Sequence, residues 1–340
     1  MHRIALLAAV LSLGLAGQAQ AQMTLMAYSG IFRDNYVATV VAPFGRDVQY
    51  VDGGTSAQML GTLRAQRGDP QVDVVIMDVT TAAIACQEGL VERLDPAEFP
   101  VFAELDGLAR DAGGVCGPAV TYDHLVLVYD TRHVSPAPQG FAALWDPQHR
   151  GRIALSAPPN IQGLALTAIL AHSTTGDWRN ASEAFARLRA LAPAVQTFDP
   201  NPDGYTLILN DQVRFATGWN ARAQLYHDQS QGRIGVVLPA EGTVFQINTI
   251  NIVARAKNRA RAAAFVTHAL SAPAQAAFTE RMFYGPTNSR VAVSEAALAR
   301  TALAPEARAR VIPLDWMQMV SLRDAWNQRW RREVIAASGR

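Results

Sequence analysis

The feature that most constrains the fold of this chain is a regular alternation of strand-like and helix-like segments in its first hundred residues. Residues 73–77 read DVVIM, a nearly continuous apolar run typical of a strand buried on both faces. Strand-like segments also lie at 23–27 and 48–51, and helix-like segments lie near 35–44 and at 56–67 and 80–88. Because strands that alternate with helices form parallel sheets covered by helices, this order predicts an α/β fold.

A second informative segment, residues 235–257, reads GVVLPAEGTVFQINTINIVARAK and contains a turn between two strands. In the second strand, alternation with period two places Gln246 and Asn248 on the same face as Ile250 and Ile252. One face of this strand therefore starts polar and ends apolar. Two interpretations are open: a strand that crosses between lobes and displays amides in a cleft, or an edge strand with solvent-facing amides.

The first 21 residues have the pattern of a secretory signal peptide. A basic start at residues 1–3 precedes an almost wholly apolar stretch at 4–16 and the small-x-small sequence Ala19-Gln20-Ala21. The apolar stretch is shorter than a membrane-spanning helix needs. We therefore expect cleavage after Ala21 and export of the remaining chain to the periplasm.

Cys86 and Cys116 are the two cysteines of the sequence. An oxidising periplasm favours disulfides, and a structural metal site would need three or four ligands. We predict a disulfide between Cys86 and Cys116. The alternative is a pair of buried free thiols.

The charge balance excludes two classes of partner. The sequence has 30 Lys and Arg residues against 29 Asp and Glu residues, and loss of Arg3 with the signal peptide makes the net charge close to zero. Nucleic acids and acidic membrane surfaces attract proteins with a strong basic excess. We therefore expect no nucleic acid or membrane surface as a partner.

The sequence has no recognisable catalytic or cofactor-binding motif. G-x-S-x-G, H-E-x-x-H, the P-loop and a G-x-G-x-x-G following a strand are all absent. The seven histidines are scattered, and none is three or four positions from another. These absences predict a protein that is not an enzyme and that needs no cofactor and no metal.

The strand-like segments fall into two groups, which predict two lobes. A strand at 121–129 carries Tyr122, Asp123 and His124 at its start and marks the change from one group to the other. We predict a first lobe from residues 22–122 and 249–310, and a second lobe from 123–248 and 311–340. Two extended crossings between lobes make a cleft that closes on a small ligand by hinge motion. We expect a monomer.

Several segments together resemble a known family. They read GGTSAQMLGTLRAQRGDPQVDVVIMDVTTAAIACQEGLVERLD, LWDPQHRGRIAL, FATGWNARA, GVVLPAEGTVFQINTINIVARAKN and MFYGPTNSR. In this order they resemble the periplasmic solute-binding proteins of ABC importers, above all the spermidine/putrescine-binding family, with kinship to ferric-iron and phosphonate binders. The resemblance implies a two-lobed periplasmic-binding-protein fold of type II. It also implies capture of a small solute and delivery to an ABC permease in the inner membrane.

The resemblance further implies a set of ligand-binding positions. Tyr28 and Ser29 match an aromatic and a hydroxyl residue after the first strand, and Asp78 matches a serine. Trp219 matches an aromatic residue that stacks on the ligand. Gln246 and Asn248 match an aromatic residue and an acid that holds an amine, so this acid is missing here. The acidic pair expected near residues 157–161 is missing as well.

Side-chain chemistry adds further candidates, each with a structural alternative. Thr55 and Ser56 follow two glycines at a predicted helix start, where they would form an anion cradle or simply cap the helix. Arg222 would supply a guanidinium or lie on a solvated helix face. The remaining candidates are Asp78, which would alternatively cap a helix, the strand residues Tyr122 and Asp123, the latter alternatively a hinge carboxylate, and the loop residue Tyr284, alternatively a loop anchor.

The missing acids bear on the ligand. Removing an ammonium group from water without a carboxylate partner costs several kcal/mol, so neutral amides alone bind a polyamine poorly. Two acids, Asp78 and Asp123, remain near the predicted cleft, and either could hold a single cationic nitrogen. We therefore expect a polyamine-like solute or another amine or zwitterion, with an anionic solute such as a phosphonate or carboxylate as the alternative. A second alternative is a receptor that signals to a chemotaxis or sensor protein. Trp219→Ala is expected to weaken binding more than tenfold with little change in the melting temperature of the free protein.

Overall fold

The computed structural model describes residues 22–339, so the predicted signal peptide lies outside the described residues. No helix within the described part is long and apolar enough to cross a membrane. Nine strands are found in this range: β1 (Met23–Ala27), β2 (Val48–Asp52), β3 (Val74–Asp78), β4 (Ala119–Asp130), β5 (Ile153–Ala154), β6 (Val195–Thr197), β7 (Phe215–Trp219), β8 (Ile234–Val237) and β9 (Phe245–Ile252).

Helices connect and cover these strands. They are α1 (Ile31–Tyr36), α2 (Ala42–Phe44), α3 (Ser56–Ala65), α4 (Val79–Gln87), α5 (Gly107–Asp111), α6 (Ile161–Thr175), α7 (Ser182–Leu191), α8 (Gly204–Leu209), α9 (Asn220–Gln229), α10 (Arg259–Ala269), α11 (Ala272–Met282), α12 (Glu295–Leu298), α13 (Pro305–Ala309) and α14 (Trp316–Arg329). Two wider π-helical turns, Val37–Val41 and Trp330–Val334, join α1 to α2 and continue α14.

The strands form one sheet with the order β2-β1-β3-β9-β4-β7-β5-β6, and β8 also pairs with β4. Strand β1 is parallel to both β2 and β3, as the alternation of strands and helices predicts. Strand β5 is parallel to β6 and β7 in the other half of the sheet. The predicted α/β fold is therefore confirmed.

Two long strands join the two halves of the sheet. Strand β9 lies between β3 and β4 and is antiparallel to both, although it follows them by more than a hundred residues. All twelve residues of β4 are buried, as are all of β9 except Phe245. Strand β9 is thus a central crossing strand, and the interpretation as an edge strand is wrong.

A disulfide joins Cys86 near the end of α4 to Cys116, just before β4, with their Cα atoms 5.9 Å apart. The bond closes a loop of 30 residues in sequence. Cys116 is buried, and both sulfurs lie against the apolar cluster that packs around Met59 and Val75. The disulfide therefore ties two segments that flank the first half of the sheet.

The last hundred residues contact both halves of the molecule. The Arg323 guanidinium of α14 donates to the Thr81 hydroxyl of α4 at 3.2 Å. Just beyond α14, the Trp330 indole N–H donates to the Thr167 hydroxyl of α6 at 2.9 Å. Arg300, assigned by our prediction to the first lobe, pairs at 2.8 Å with Asp228 of α9. The exact lobe boundaries stay a prediction.

Candidate functional site

A cavity of about 410 Å³ opens at the carboxyl ends of three strands from both halves of the sheet. Tyr28 follows β1, Asp78 ends β3 and Trp219 ends β7, and all three side chains line the cavity. Side chains at such strand ends converge in open α/β sheets, which makes this edge the expected place for a ligand. A cavity of this volume is within the usual range of small-molecule sites.

Most of the candidates from the sequence meet in this cavity. The residues that line it are Tyr28, Ser29, Thr55, Ser56, Asp78, Trp219, Arg222, Gln246 and Tyr284. Three other candidates, Tyr122, Asp123 and Asn248, do not line it. No ligand is present, so a binding role for any of these residues stays a prediction.

Tyr122 and Asp123 have structural partners instead. The Tyr122 hydroxyl donates to the Asp106 carboxylate at 2.9 Å. The Asp123 carboxylate accepts the backbone N–H groups of His124 at 2.8 Å and Ala221 at 3.0 Å. Burial raises the pKa of Asp123 to about 8, although these hydrogen bonds oppose the shift. Asp123 thus binds the first turn of α9 from behind the cavity, as the alternative of a hinge carboxylate describes.

Asn248 lies directly behind Tyr28. Its side-chain carbonyl accepts the Tyr28 hydroxyl at 2.9 Å, and its amide N–H donates to the Thr121 hydroxyl at 2.9 Å. The Tyr28 oxygen is also 2.9 Å from the Ser56 hydroxyl. Period-two alternation correctly predicted that Asn248 shares a face with Gln246. It could not predict that Tyr28 would lie between Asn248 and the cavity.

Asp78 caps the helix that follows its strand and also lines the cavity. Its carboxylate accepts the Thr81 backbone N–H at 3.0 Å and the hydroxyls of Thr80 and Thr81 at 2.6 and 2.7 Å. The carboxylate is therefore buried with three donors and keeps room for one more. It is the negative charge on the first-lobe side of the cavity.

Arg222 brings a positive charge to the opposite side. It is the third residue of α9, lines the cavity and forms no ion pair with an acid within residues 22–339. Its Nε atom is buried without a hydrogen-bond partner among these residues. The Tyr284 phenol lies beside the guanidinium, and burial raises the pKa of that phenol, so it stays neutral. Arg222 therefore has its charge available for a ligand.

Trp219 is more deeply embedded than its predicted stacking role requires. It is only 7% exposed and belongs to the main apolar core. Truncating a buried aromatic side chain typically costs about 3–5 kcal/mol. The expectation that Trp219→Ala leaves the melting temperature of the free protein nearly unchanged is therefore incorrect, because the substitution removes core packing as well as cavity surface.

Other cavity residues were not foreseen. Asn160 and Asp203 line the cavity and cap the N-termini of α6 and α8, and Gln162, Asp199 and Tyr205 lie beside them. Asn160 before an apolar helix and Asp203 in the turn-rich sequence DPNPDG are recognisable N-cap signals. Those signals predict helix starts, but only the strand order brings the starts together.

The N-termini of α3, α6 and α8 all face the cavity, each capped by its own side chain. Thr55 caps α3 by accepting the Gln58 backbone N–H, and Gln58 reciprocates through the Thr55 backbone N–H. The positive ends of the α3 and α6 dipoles therefore face this space and favour a negative group in it, whereas the Asp203 carboxylate that caps the short α8 offsets the dipole there. The alternative that Thr55 caps the helix is correct. Because the cap is neutral, the positive electrostatic field at the start of α3 remains.

A cluster of Asp130, His133 and Asp211 is close enough to hold a metal ion but lies outside the cavity lining. Arg233 bonds both carboxylates, at 3.1 Å to Asp130 and 2.7 Å to Asp211. Although burial opposes it, hydrogen bonds from Arg132 and Arg233 lower the pKa of Asp130 to about 2. The cluster is thus an ion-pair network whose carboxylates are already neutralised by arginine.

Comparison with known proteins places this architecture among solute-binding proteins. A gamma-aminobutyric acid-binding protein of Pseudomonas aeruginosa is 27% identical over 82% of this chain and 80% of the relative. The spermidine/putrescine-binding periplasmic protein of Escherichia coli is 23% identical over 79% of this chain and 75% of the relative. A periplasmic binding protein of A. tumefaciens R10, solved with agropinic acid, has a TM-score of 0.78 at 17% identity, covering 93% of this chain and 99% of that one.

The two-lobed periplasmic-binding-protein fold and the resemblance to binding proteins of ABC importers are confirmed by these similarities. The family described as bacterial extracellular solute-binding protein matches residues 36–306, which is most of the sequence. This chain therefore belongs to the family of bacterial extracellular solute-binding proteins.

Proposed function

We propose that this protein binds a short zwitterion, an ω-amino acid of the 4-aminobutyrate class, in the cavity between its lobes. Proteins of this kind are substrate-binding components of ABC transporters and not enzymes. The P. aeruginosa relative is named for gamma-aminobutyric acid, whereas the E. coli relative is named for polyamines. Asp78, Asp199 and Asp203 line the cavity together with Arg222, and this mixture of charges favours a ligand that carries both signs.

The observation that carries this proposal is the Arg222 guanidinium, which faces the cavity without an acidic partner among residues 22–339. Arg222 is half-buried, and a charge taken partly out of water gains from pairing with an opposite charge, so a ligand carboxylate at this position is favoured. The converging helix N-termini add to the same preference. A polyamine carries only positive charges and offers no group that pairs with Arg222.

The opposite side of the cavity suits an amine. The Asp78 carboxylate and the Tyr28 oxygen line it, and an ammonium group is a strong donor to both. The side chain of Trp219 supplies apolar surface for the methylene groups between the two charges. A molecule with a carboxylate and an amine a few carbons apart therefore matches both sides.

Delivery follows from closure of the cleft. A zwitterion that contacts Asp78 on one lobe and Arg222 on the other stabilises the closed state over the open one, because only the closed state satisfies both charges. The closed monomer is then recognised by an ABC permease of the inner membrane. Export through the predicted signal peptide would place the protein in the periplasm, the compartment for which the E. coli relative is named.

Isothermal titration calorimetry with 4-aminobutyrate, butyrate, putrescine and spermidine tests the proposal. We expect 4-aminobutyrate to bind most tightly, and Arg222→Gln to weaken it by about 10- to 150-fold, the range that corresponds to a lost hydrogen bond to a charged group. Arg46→Gln is the matched control, because Arg46 is exposed and does not line the cavity.

Two results would contradict the proposal. Tighter binding of putrescine or spermidine than of 4-aminobutyrate would make the protein a polyamine receptor. Equal affinity of the Arg222→Gln and Arg46→Gln variants for 4-aminobutyrate would remove Arg222 from the site.

A further inference from the structure

We propose that Asn248, which lies behind the cavity, makes the Tyr28 hydroxyl an obligate hydrogen-bond acceptor and thereby directs the ligand's nitrogen to Tyr28. The inference rests on the proposed function, since it assigns an orientation to the zwitterion. Asn248 is a positioning residue here, because it touches Tyr28 and not the cavity.

The single hydroxyl proton of Tyr28 is used in one hydrogen bond. Burial raises the pKa of Tyr28 well above its usual value, with the nearby Asp78 charge adding to the shift, so the phenol keeps this proton. The proton is donated to the side-chain carbonyl of Asn248 at 2.9 Å. At its other end the same amide donates an N–H to the Thr121 hydroxyl at 2.9 Å.

The direction of the hydrogen bond between Ser56 and Tyr28 follows from the use of the Tyr28 proton. With the Tyr28 proton already committed, the 2.9 Å contact between the two hydroxyls has Ser56 as its donor. The Ser56 oxygen in turn accepts the Asp78 backbone N–H at 3.0 Å. Tyr28 and Ser56 therefore have no side-chain proton left to offer, and each oxygen keeps acceptor capacity for a ligand.

These side chains form an acceptor wall, defined as Tyr28, Ser56 and Asp78, on the first-lobe side of the cavity. The Asp78 carboxylate also only accepts, and three of its roughly four acceptor positions are filled. Arg222 on the other side only donates. A zwitterion is thus bound in one direction, with its N–H groups on the acceptor wall and its carboxylate at Arg222.

Substitution of Asn248, which lies behind this wall, can reverse the hydrogen-bond polarity of Tyr28. Asn248→Leu keeps a similar volume but removes the acceptor, so the Tyr28 proton becomes available to a ligand oxygen. Asn248→Asp keeps an acceptor for Tyr28 and is the matched control. The two variants therefore differ in hydrogen-bond polarity at Tyr28 while both change a fully buried residue of β9.

The test compares 4-aminobutyrate with 4-hydroxybutyrate by calorimetry in the wild type, Asn248→Leu and Asn248→Asp. A hydroxyl offers both a proton and lone pairs, whereas an ammonium only donates. We expect the preference for 4-aminobutyrate to be about tenfold or more in the wild type and in Asn248→Asp, as one hydrogen bond to a charged group implies. In Asn248→Leu we expect the preference to fall to about threefold or less.

A ligand-free measurement separates this inference from the proposed function. The tyrosine ¹³Cζ resonance of Tyr28, assigned with Tyr28→Phe, should move in Asn248→Leu and stay close to its wild-type position in Arg222→Gln. An unmoved resonance, or an equal loss of affinity for both ligands in Asn248→Leu, overturns the role of Asn248. A moved resonance in a protein that fails to bind 4-aminobutyrate overturns the proposed ligand and supports the positioning of Tyr28.

Discussion

At the scale of single residues, the buried carboxyl of Asp123 links stability to pH. It lies beneath the first turn of α9, the helix that carries Arg222, and accepts the Ala221 backbone N–H there and the His124 backbone N–H of its own strand. Burial raises its pKa to about 8, well above the value of about 3.9 in an unfolded chain. The folded protein therefore holds a proton at this site that the unfolded chain has lost.

The consequence is a loss of stability as the pH rises from about 4 to about 8, because the native state binds more protons than the unfolded state in this window. We expect Asp123→Asn, which keeps the acceptor oxygen, to flatten this part of the pH profile. Urea unfolding at closely spaced pH values measures the effect. Asp324→Asn, at an exposed acid, is the control and should leave the slope unchanged.

The sequence predicts those cavity residues that directly follow a strand, but not those that only tertiary packing brings to the cavity. Tyr28, Asp78 and Trp219 follow strands, and strand ends were the expected place for a ligand. Asn248 shares a face with Gln246, but its depth depends on the Tyr28 ring, 220 positions away in sequence. Asp203 reaches the cavity through tertiary packing that local patterns do not contain.

At the scale of elements, one glycine controls how closely α6 approaches the cavity. A Cβ atom at Gly163 would lie 2.8 Å from the Pro158 backbone nitrogen and 2.9 Å from the Ser156 carbonyl oxygen. Ser156 and Pro159 of the same loop line the cavity. The absence of a side chain at Gly163 is therefore what lets the capped start of α6 pack beneath this loop.

A pair of substitutions tests this role. Alanine in place of a helical glycine ordinarily stabilises a protein by about 0.5–1 kcal/mol, and Gly61→Ala in α3 should do so because its added Cβ would meet no atom within 4 Å. Gly163→Ala should instead destabilise the protein and weaken 4-aminobutyrate binding. Thermal unfolding and calorimetry of both variants measure these effects; stabilisation by both would show that the loop adjusts freely.

The elements themselves were predicted well where apolar runs and caps coincide. Strand β3 and helix α4 agree with the expected ranges within about two residues, because DVVIM is uniformly apolar and Asp78 is an N-cap. The helical segment before β2 was less accurate. It was expected to begin near Asn35, but α1 begins at Ile31 and continues through a π-helical turn that has no sequence signature.

At the scale of the whole molecule, the disulfide restricts the unfolded chain more than it adds native contacts. Closing a loop of 30 residues is expected to stabilise the protein by about 3–4 kcal/mol in the chain-entropy description. Cys86→Ser/Cys116→Ser should therefore lower the free energy of unfolding by about that amount. Urea unfolding of the variant and the oxidised wild type checks this, and equal midpoints would contradict it. Calorimetry should show little change in ligand affinity, because neither cysteine lines the cavity.

The general architecture was predicted from the sequence, whereas the lobe boundaries stay a prediction. The strand order separates two halves at β4 and β9, close to the predicted crossings. The late segments do not follow that division, since Arg300 binds Asp228 and α14 reaches both α4 and, through Trp330, α6. Such packing depends on surfaces that exist only after both halves have formed.

The central position of β9 also orders events during biosynthesis. Strands β3 and β4 pair with each other only through β9, which begins at Phe245. A nascent chain on the ribosome therefore lacks the strand that joins its two half-sheets until about three quarters of the polypeptide has been made. A chain that cannot complete its fold early stays unfolded for longer. A secretion channel that passes only extended polypeptides requires such an unfolded chain.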